Sequence, residues 1–146
     1  MSEIVFKVIP HGSPDYQAAV HLREKILRWP LGLRFSADEL EIEKQHIQIV
    51  GIQNQEIIAA AVLVPEGSVC KMQRVAVKDS LQNQGIGSQL MKFCEEKALL
   101  LGFKTIYCHA RGTAVSFYLK AQYQAEGEYF QEDGIPHLKM VKSLTV

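Results

Sequence analysis

The sequence predicts an α/β fold, with a mixed, mostly antiparallel twisted sheet of six or seven strands and helices on both faces. Short runs of alternating or β-branched residues recur along the chain, and three of them follow one another across short polar turns. Amphipathic segments separate the later runs. The predicted order is β α α β β β α β α β β, which is typical of a sheet covered by helices.

The N-terminal part is predicted to be a strand followed by a helix. Apolar and polar residues alternate over Ile4–Ile9. The helix has Ser13 as its N-cap and Pro14 at its first position, and Pro30 ends it. We expect its buried face to contain four apolar residues, namely Ala18, Leu22, Ile26 and Trp29.

A three-stranded meander is predicted in the middle of the chain. A short acidic helix precedes it, with Ser36 as N-cap and Glu39 placed for a capping box. Polar or glycine-containing turns separate its three strands, which lie at His46–Ile52, Glu56–Val64 and Val69–Val77.

The second half of the chain is predicted to begin with a long helix. It runs from about Gln84 to Leu101, and Gly102 follows where a left-handed residue commonly ends a helix. "TIYCHA" is predicted to be a strand and "TAVSFYLKAQ" a short helix. "GEYFQE" and "HLKMVKSL" then form a closing strand pair around "DGIP".

Composition excludes several classes of protein. The 146 residues suit one domain, 1–146, with 47% apolar and 22% charged residues. Sixteen basic residues balance sixteen acidic ones, so we expect no nucleic-acid partner. With no long apolar run and no signal peptide, we expect a cytoplasmic protein without a membrane partner. The three cysteines have no CxxC spacing, which argues against disulfides and a metal site.

A glycine turn between the third meander strand and the long helix is the main candidate site. Gly85 and Gly87 leave the first amides of the helix open to a phosphate group. The alternative is that both glycines serve only the packing of a tight turn. A dinucleotide-binding fingerprint would need glycine where Leu90 stands, and no Gly-Lys-Ser/Thr triplet of a P-loop occurs.

The same stretch resembles the coenzyme-A signature of the GNAT N-acetyltransferase superfamily. Gln82-x-x-Gly85-x-Gly87 matches the pattern Arg/Gln-x-x-Gly-x-Gly/Ala, and "RVAVKDSLQNQGIGSQLM" resembles the family's fourth strand, loop and third helix. Downstream, "AVSFYLKAQY" resembles "A-x-x-F-Y-x-x-x-G-F". The resemblance covers about Ile47 to Val141 and implies the acyl-CoA N-acyltransferase fold. It also implies direct transfer of an acetyl group from acetyl-CoA to a primary amine of a small molecule or peptide, without a metal.

Two positions depart from the family pattern. Arg111 stands where many members have asparagine, and Gln122 where many have glycine. They leave open a second hypothesis, a regulatory module that binds coenzyme A with little transferase activity. A third, a dinucleotide-binding oxidoreductase, is disfavoured by Leu90 and by the meander before the motif.

The resemblance also implies a cofactor site. The pantetheine arm would pair with strand four where a bulge separates it from strand five, along the main chain of Arg74, Val75, Ala76 and Val77. Small side chains there equally suit a buried strand. The pyrophosphate would bind the turn and the helix start, formed by Gln82, Asn83, Gln84, Gly85, Ile86, Gly87 and Ser88.

The catalytic groups are predicted from the same resemblance. Tyr118 occupies the position of a tyrosine that commonly protonates the coenzyme-A thiolate; otherwise it is a half-buried aromatic residue. The base that takes a proton from the amine is open between His109, His137 and Glu41. Cys94 and Cys108 are interpreted as buried apolar residues rather than nucleophiles.

The acceptor site is the least defined feature. Arg28 and Arg34 lie in the region between the first two helices, which lines the acceptor pocket in many relatives. They could bind a carboxylate through the guanidinium fork, or be solvated surface charges. The sequence leaves the oligomeric state, including a homodimer, open.

Overall fold

Seven strands form one mixed sheet in the order β1-β2-β3-β4-β5-β7-β6 in the computed structural model, which describes residues 3–144. Neighbouring strands are antiparallel, except for the parallel pair β4 and β5. The predicted mixed, mostly antiparallel sheet is confirmed, with seven strands. Their bounds are β1 Val5–Ile9, β2 Ile47–Gln53, β3 Glu56–Glu66, β4 Val69–Val77, β5 Thr105–Arg111, β6 Gln124–Glu132 and β7 Ile135–Ser143.

Four α-helices cover the two faces of the sheet. Their bounds are α1 Pro14–Arg23, α2 Ala37–Ile42, α3 Ile86–Leu100 and α4 Val115–Lys120. Alternate residues of β2 and β3 point to opposite faces: Val50 and Ala60 pack with α1, whereas Ile49 and Ala59 pack with α3. The sheet therefore separates two cores, as the predicted helices on both faces require.

The hairpin turns fit their sequences. β2 and β3 are joined by Asn54 and Gln55, which have φ of 52° and 65°. Asp133 and Gly134 join β6 and β7 with φ of 53° and 77°. Two residues with positive φ form the turn whose twist matches the flanking strands. The predicted loop between the first two meander strands included Gln53, which instead belongs to β2.

The predicted buried face of the first helix is correct at Leu22 and Ile26 but wrong at Ala18 and Trp29. Ala18 is exposed and Trp29 is 41% exposed. Ala18 lies in the regular part of the helix, where Ala19 and Val20 are buried instead. The helix becomes a π-helical segment only at Glu24–Arg28, and this wider turn precedes Trp29 and changes its direction. In addition, the buried positions include Arg23, which pairs with Glu43 at 2.7 Å, so apolar spacing could not identify this face.

Helix boundaries follow the predicted capping residues. Ser13 accepts a hydrogen bond from the amide of Tyr16, and Ser36 forms a complete capping box with Glu39. Gly102 has a φ of 95° beyond α3, as predicted. α3 begins at Ile86 rather than at Gln84, because left-handed Gly85 forms its N-cap. Within the described part of the chain, no helix is long and apolar enough to cross a membrane.

Candidate active site

The sheet opens between β4 and β5. These parallel strands pair only at their beginnings, where Val69–Lys71 faces Thr105–Tyr107. Beyond Lys71, the β5-facing edge of β4 has no paired strand within residues 3–144. Apart from the Val77 carbonyl, which accepts a hydrogen bond from the Gln82 side chain, the main-chain groups along that edge are therefore available to an extended ligand.

A bulge in β4 lies where the opening begins. Val62 pairs with Gln73 and Ala60 with Ala76, so two residues of β4 stand opposite one residue of β3. Within this bulge Arg74 has a φ of 53°, a left-handed conformation that costs a side-chain-bearing residue about 1–2 kcal/mol. A bulge bends its strand and ends regular pairing, which accounts for the divergence of β4 from β5.

A cavity of about 730 Å³ occupies the opening and reaches both faces of the sheet. Phe35 and Glu39 line it from the α1 and α2 side, whereas Met91 and Tyr118 line it from the α3 and α4 side. Predicted site residues that also line it are Arg28, Arg74, Val75, Ala76, Val77, Gln82, Asn83, Gly87, His109 and His137. Two ligands could therefore meet in the gap, one from each face.

The glycine turn forms one wall of this cavity. Gly85 has a φ of 81° and Gly87 lines the cavity. No side chain among the described residues caps α3, so its first amides are available to an anion. The side-chain amide of Gln82, a residue predicted to contact the cofactor, donates a hydrogen bond to the Val77 carbonyl at 3.0 Å. Gln84 and Gly85 of the turn, and Ile86 and Ser88 of α3, do not line the cavity, and Ile86 is in the core.

Tyr118 lies at the cavity wall beside Cys108. Tyr118 is 7% exposed, and its ring packs edge-to-face with Phe117 and Tyr123. Burial, and then the neighbouring Cys108, raise the pKa of Tyr118 well above its ordinary value, so the phenol is neutral. Burial also raises the pKa of Cys108 to about 12, although Tyr118 and Lys71 act in the opposite direction. A thiol this weakly acidic is a poor nucleophile.

Two predicted bases meet on one carboxylate. His109 Nδ1 is 3.0 Å from Glu132 Oε1, and His137 Nε2 is 3.6 Å from Glu132 Oε2. Burial would raise the pKa of Glu132, but the hydrogen bond and charge of His109, followed by the charges of His137 and Lys71, lower it overall. Because a carboxylate can only accept, His109 donates to Glu132 from Nδ1, and Nε2 is the ring nitrogen that can take up or release a second proton. The His137 side chain is 5% exposed, against 26% for His109.

A charged cluster borders the cavity on the α1 face. Glu43 forms ion pairs with Arg23 and Arg74, each at 2.7 Å. Glu39 forms ion pairs with Arg28 at 2.9 Å and with Arg74 at 3.5 Å. The guanidinium carbons of all three arginines lie over the ring of Phe35, 4.3–4.9 Å from its centroid. These contacts hold the bulged Arg74 to both helices of that face.

The remaining predicted site residues are distributed differently. Arg28 lines the cavity, but Glu39 binds its guanidinium through both oxygens and Asp133 lies 3.9 Å from its Nε. Arg34 is exposed and outside the cavity lining. Glu41 is also outside it, on the surface, where it pairs with Lys44 at 2.6 Å.

The two departures from the family pattern have separate structural roles. Arg111 lines the cavity and donates from Nη2 to the carbonyl of Leu27 at 2.8 Å, which links β5 to the π-helical segment. Gln122 follows α4 with a φ of 75°, a left-handed conformation that glycine adopts without strain and that accounts for the glycine of the family pattern.

Sequence reasoning missed Glu132, Phe35 and Glu39 as residues of the site. Glu132 could have been found, because a hairpin turn at Asp133-Gly134 places it beside Ile135 and close to His137. Phe35 and Glu39 carry no comparable signal, since their place depends on how α1 and α2 pack over the bulge. Among the described residues, no three His, Cys, Asp or Glu side chains are grouped so that they could hold a metal ion.

Comparisons with known proteins agree with this geometry. A family model described as an acetyltransferase (GNAT) domain matches residues 33–144. The chain is 33% identical over 138 residues to YjcF, an uncharacterised N-acetyltransferase of Bacillus subtilis strain 168, covering 92% of this chain and 97% of the relative. The crystal structure of a Lactobacillus plantarum protein assigned as an N-acetyltransferase superposes with a TM-score of 0.83 at 28% identity, over 99% of both chains. An aminoglycoside 6'-N-acetyltransferase complexed with coenzyme A shares the fold, with a TM-score of 0.80 at 17% identity over 97% of this chain and 98% of the other.

Proposed function

The chain belongs to the GNAT acetyltransferase family, and from that premise we propose that it transfers an acetyl group from acetyl-CoA directly to a primary amine. The family and the N-acetyltransferase relative establish an N-acetyltransferase. The acetyl donor and the amine acceptor are the proposal. One observation carries it: the cavity between diverging β4 and β5 has an open strand edge on one side and the uncapped start of α3 on the other.

The donor would bind in two parts. Its pantetheine arm would run along the main chain of Arg74–Val77, where an added extended chain can hydrogen-bond to the open edge. Its pyrophosphate would lie against the amides at the start of α3, which carry the positive end of the helix dipole. Gly87 supports this placement because the missing side chain leaves room at the cavity wall.

His109 is the base that the geometry favours. Glu132 fixes its ring through Nδ1, so Nε2 can take a proton from the ammonium group of the acceptor. The freed amine forms the new C–N bond as the C–S bond of the thioester breaks. His137 donates from Nδ1 to the carbonyl of Ile135 at 2.9 Å and is more deeply buried, so it is the less accessible of the two histidines.

Tyr118 would assist the departing thiolate. Its neutral phenol can donate a hydrogen bond to sulfur as negative charge develops there. A thiol has an ordinary pKa of about 8.5 and burial raises that of this phenol, so complete proton transfer from Tyr118 would be uphill. The side chain therefore acts as a hydrogen-bond donor that stabilises the leaving group.

Calorimetric titration with acetyl-CoA and a thiol-release assay over a panel of primary amines test the proposal. We expect acetyl-CoA to bind and NADH not to bind, and thiol to appear only when a suitable amine is present. Absence of acetyl-CoA binding would overturn the proposed donor. Tight binding with no thiol release over a broad panel would favour the regulatory module that binds coenzyme A without efficient transfer.

A further inference from the structure

We propose that Arg111 binds a carboxylate group of the acceptor, so that the substrate is a small amine that also carries a carboxylate, such as an amino acid. This inference rests on the proposed function and specifies its acceptor. Arg111 lines the cavity and is half-buried. Its guanidinium has five N–H donors, of which the bond to Leu27 uses one.

The two other arginines at the cavity already have carboxylate partners. Arg28 is bound by Glu39 and lies near Asp133, and Arg74 is bound by Glu43 and Glu39. Lys71 acts electrostatically on Glu132, whose pKa it helps to lower. Within residues 3–144, no carboxylate forms an ion pair with Arg111, so its charge remains available to a ligand.

Arg111 is also on the correct face of the sheet. It stands two residues after His109 in β5, so both side chains project from the same face, with their Cα atoms about 7 Å apart. The residues between and beside them, Cys108 and Ala110, belong to the core on the opposite face. Arg111 and the proposed base therefore share the half of the cavity that lies opposite Tyr118.

The contact with Leu27 prepares Arg111 for this role. A guanidinium that is held at one N–H loses less conformational freedom when it binds a ligand, and its flat fork can bind both oxygens of a carboxylate. In the sequence, Arg28 and Arg34 are the candidates for carboxylate recognition, with solvated surface charges as the alternative. The structure transfers this role to Arg111, because Arg28 is already paired and Arg34 is outside the cavity lining.

The test compares ω-amino acids, from glycine to 6-aminohexanoate, with their carboxamides. Binding is measured by calorimetry, with and without saturating coenzyme A, so it does not depend on turnover. In the wild-type protein we expect at least one carboxylate to bind about ten- to hundredfold more tightly than its carboxamide. In Arg111→Ala we expect that preference to disappear, while the carboxamide binds as before.

Two further variants make the result specific. Arg34→Ala removes the same charge outside the cavity lining and should keep the preference. Arg111→Lys keeps a charge without the fork, and should keep a weakened preference even if the alanine variant does not fold. The assignment is overturned if acids and amides bind the wild type alike, if Arg111→Ala weakens both equally, or if Arg34→Ala removes the preference. The proposed function fails separately, through the absence of acetyl-CoA binding or of thiol release.

Discussion

At the scale of single residues, the two glycines of the turn are glycines for different reasons. Gly85 has a φ of 81°, which residues with a side chain rarely adopt. Gly87 has no such conformation, and an added Cβ would meet only Phe117, at an ordinary contact distance of 3.8 Å. The protein's own packing therefore tolerates a larger residue at position 87, and the space beside it is available to a ligand.

Substitution of Gly87 should separate folding from binding. We expect Gly87→Ala to leave the free energy of unfolding unchanged or to raise it by up to about 1 kcal/mol, because alanine restricts the unfolded chain. Acetyl-CoA affinity should fall in this variant and be lost in Gly87→Val. Denaturation and calorimetry measure the two effects, and normal affinity in Gly87→Val would contradict the pyrophosphate site.

Tyr118→Phe should lower turnover while leaving acetyl-CoA affinity within about twofold. The hydroxyl contributes when charge develops on sulfur, and loss of such a group costs at least about tenfold in rate. Tyr123→Phe is the matched control, because the Tyr123 hydroxyl donates to Glu95 at 2.8 Å and is not part of the cavity wall. That control should lose stability and keep turnover. Equal turnover in the wild type and Tyr118→Phe would return Tyr118 to a packing role.

Gln122→Gly should stabilise the protein by roughly 0.5–1 kcal/mol. Glycine relieves the left-handed conformation at φ 75°, and this gain exceeds the entropy that glycine adds to the unfolded chain. Urea denaturation measures it, with Lys120→Gly at the end of α4 as a control that should destabilise. A lower stability of Gln122→Gly would show that the side chain has a role of its own.

At the scale of elements, the charged cluster around Phe35 connects α1, α2 and the β4 bulge. Glu39 belongs to α2 and pairs with Arg28 of the π-helical segment and Arg74 of the bulge. The hydrogen bond from Arg28, followed by the capping contact with Ser36 and the charges of Arg28 and Arg74, outweighs partial burial. Together they lower the pKa of Glu39 from 4.5 to about 2.

This pKa gives a prediction for acid unfolding. Because the pKa of Glu39 is lower in the folded state, its contribution to stability is complete above about pH 4.5 and is lost as pH falls towards 2. Glu39→Gln should therefore flatten the acid side of the stability profile in that range. Glu41→Gln is the control, measured at high salt, because its pair with Lys44 is exposed and screened. An unchanged acid profile in Glu39→Gln would contradict the role of the cluster.

Elements that depend on local sequence patterns could be predicted, whereas elements that depend on contacts between distant parts of the chain could not. The bounds of β4 and the caps at Ser13 and Ser36 were predicted correctly, because alternation and capping are local properties. The π-helical segment and the left-handed Arg74 were not predicted. Both depend on contacts between distant elements, and Arg74 has a side chain where a local pattern would require glycine.

At the scale of the whole molecule, the parallel pair β4 and β5 explains the position of the site. A sheet that is antiparallel elsewhere has its only parallel contact, within the described residues, at three residue pairs, and the strands diverge beyond them. The cavity in this gap is lined by helices from both faces, so the proposed donor and acceptor could approach from opposite faces. The sequence points to the proposed donor side through the glycine turn, whereas the proposed acceptor side is recognisable only from the three-dimensional arrangement of α1, α2 and the β6–β7 hairpin.

The structure of the complex with acetyl-CoA tests the central claim most directly. We expect the pyrophosphate within hydrogen-bond distance of the amides at the start of α3, and the pantetheine arm paired with the main chain of β4 beyond Arg74. The thioester should then lie between Tyr118 and His109. Acetyl-CoA bound elsewhere, with the gap between β4 and β5 empty, would contradict the account.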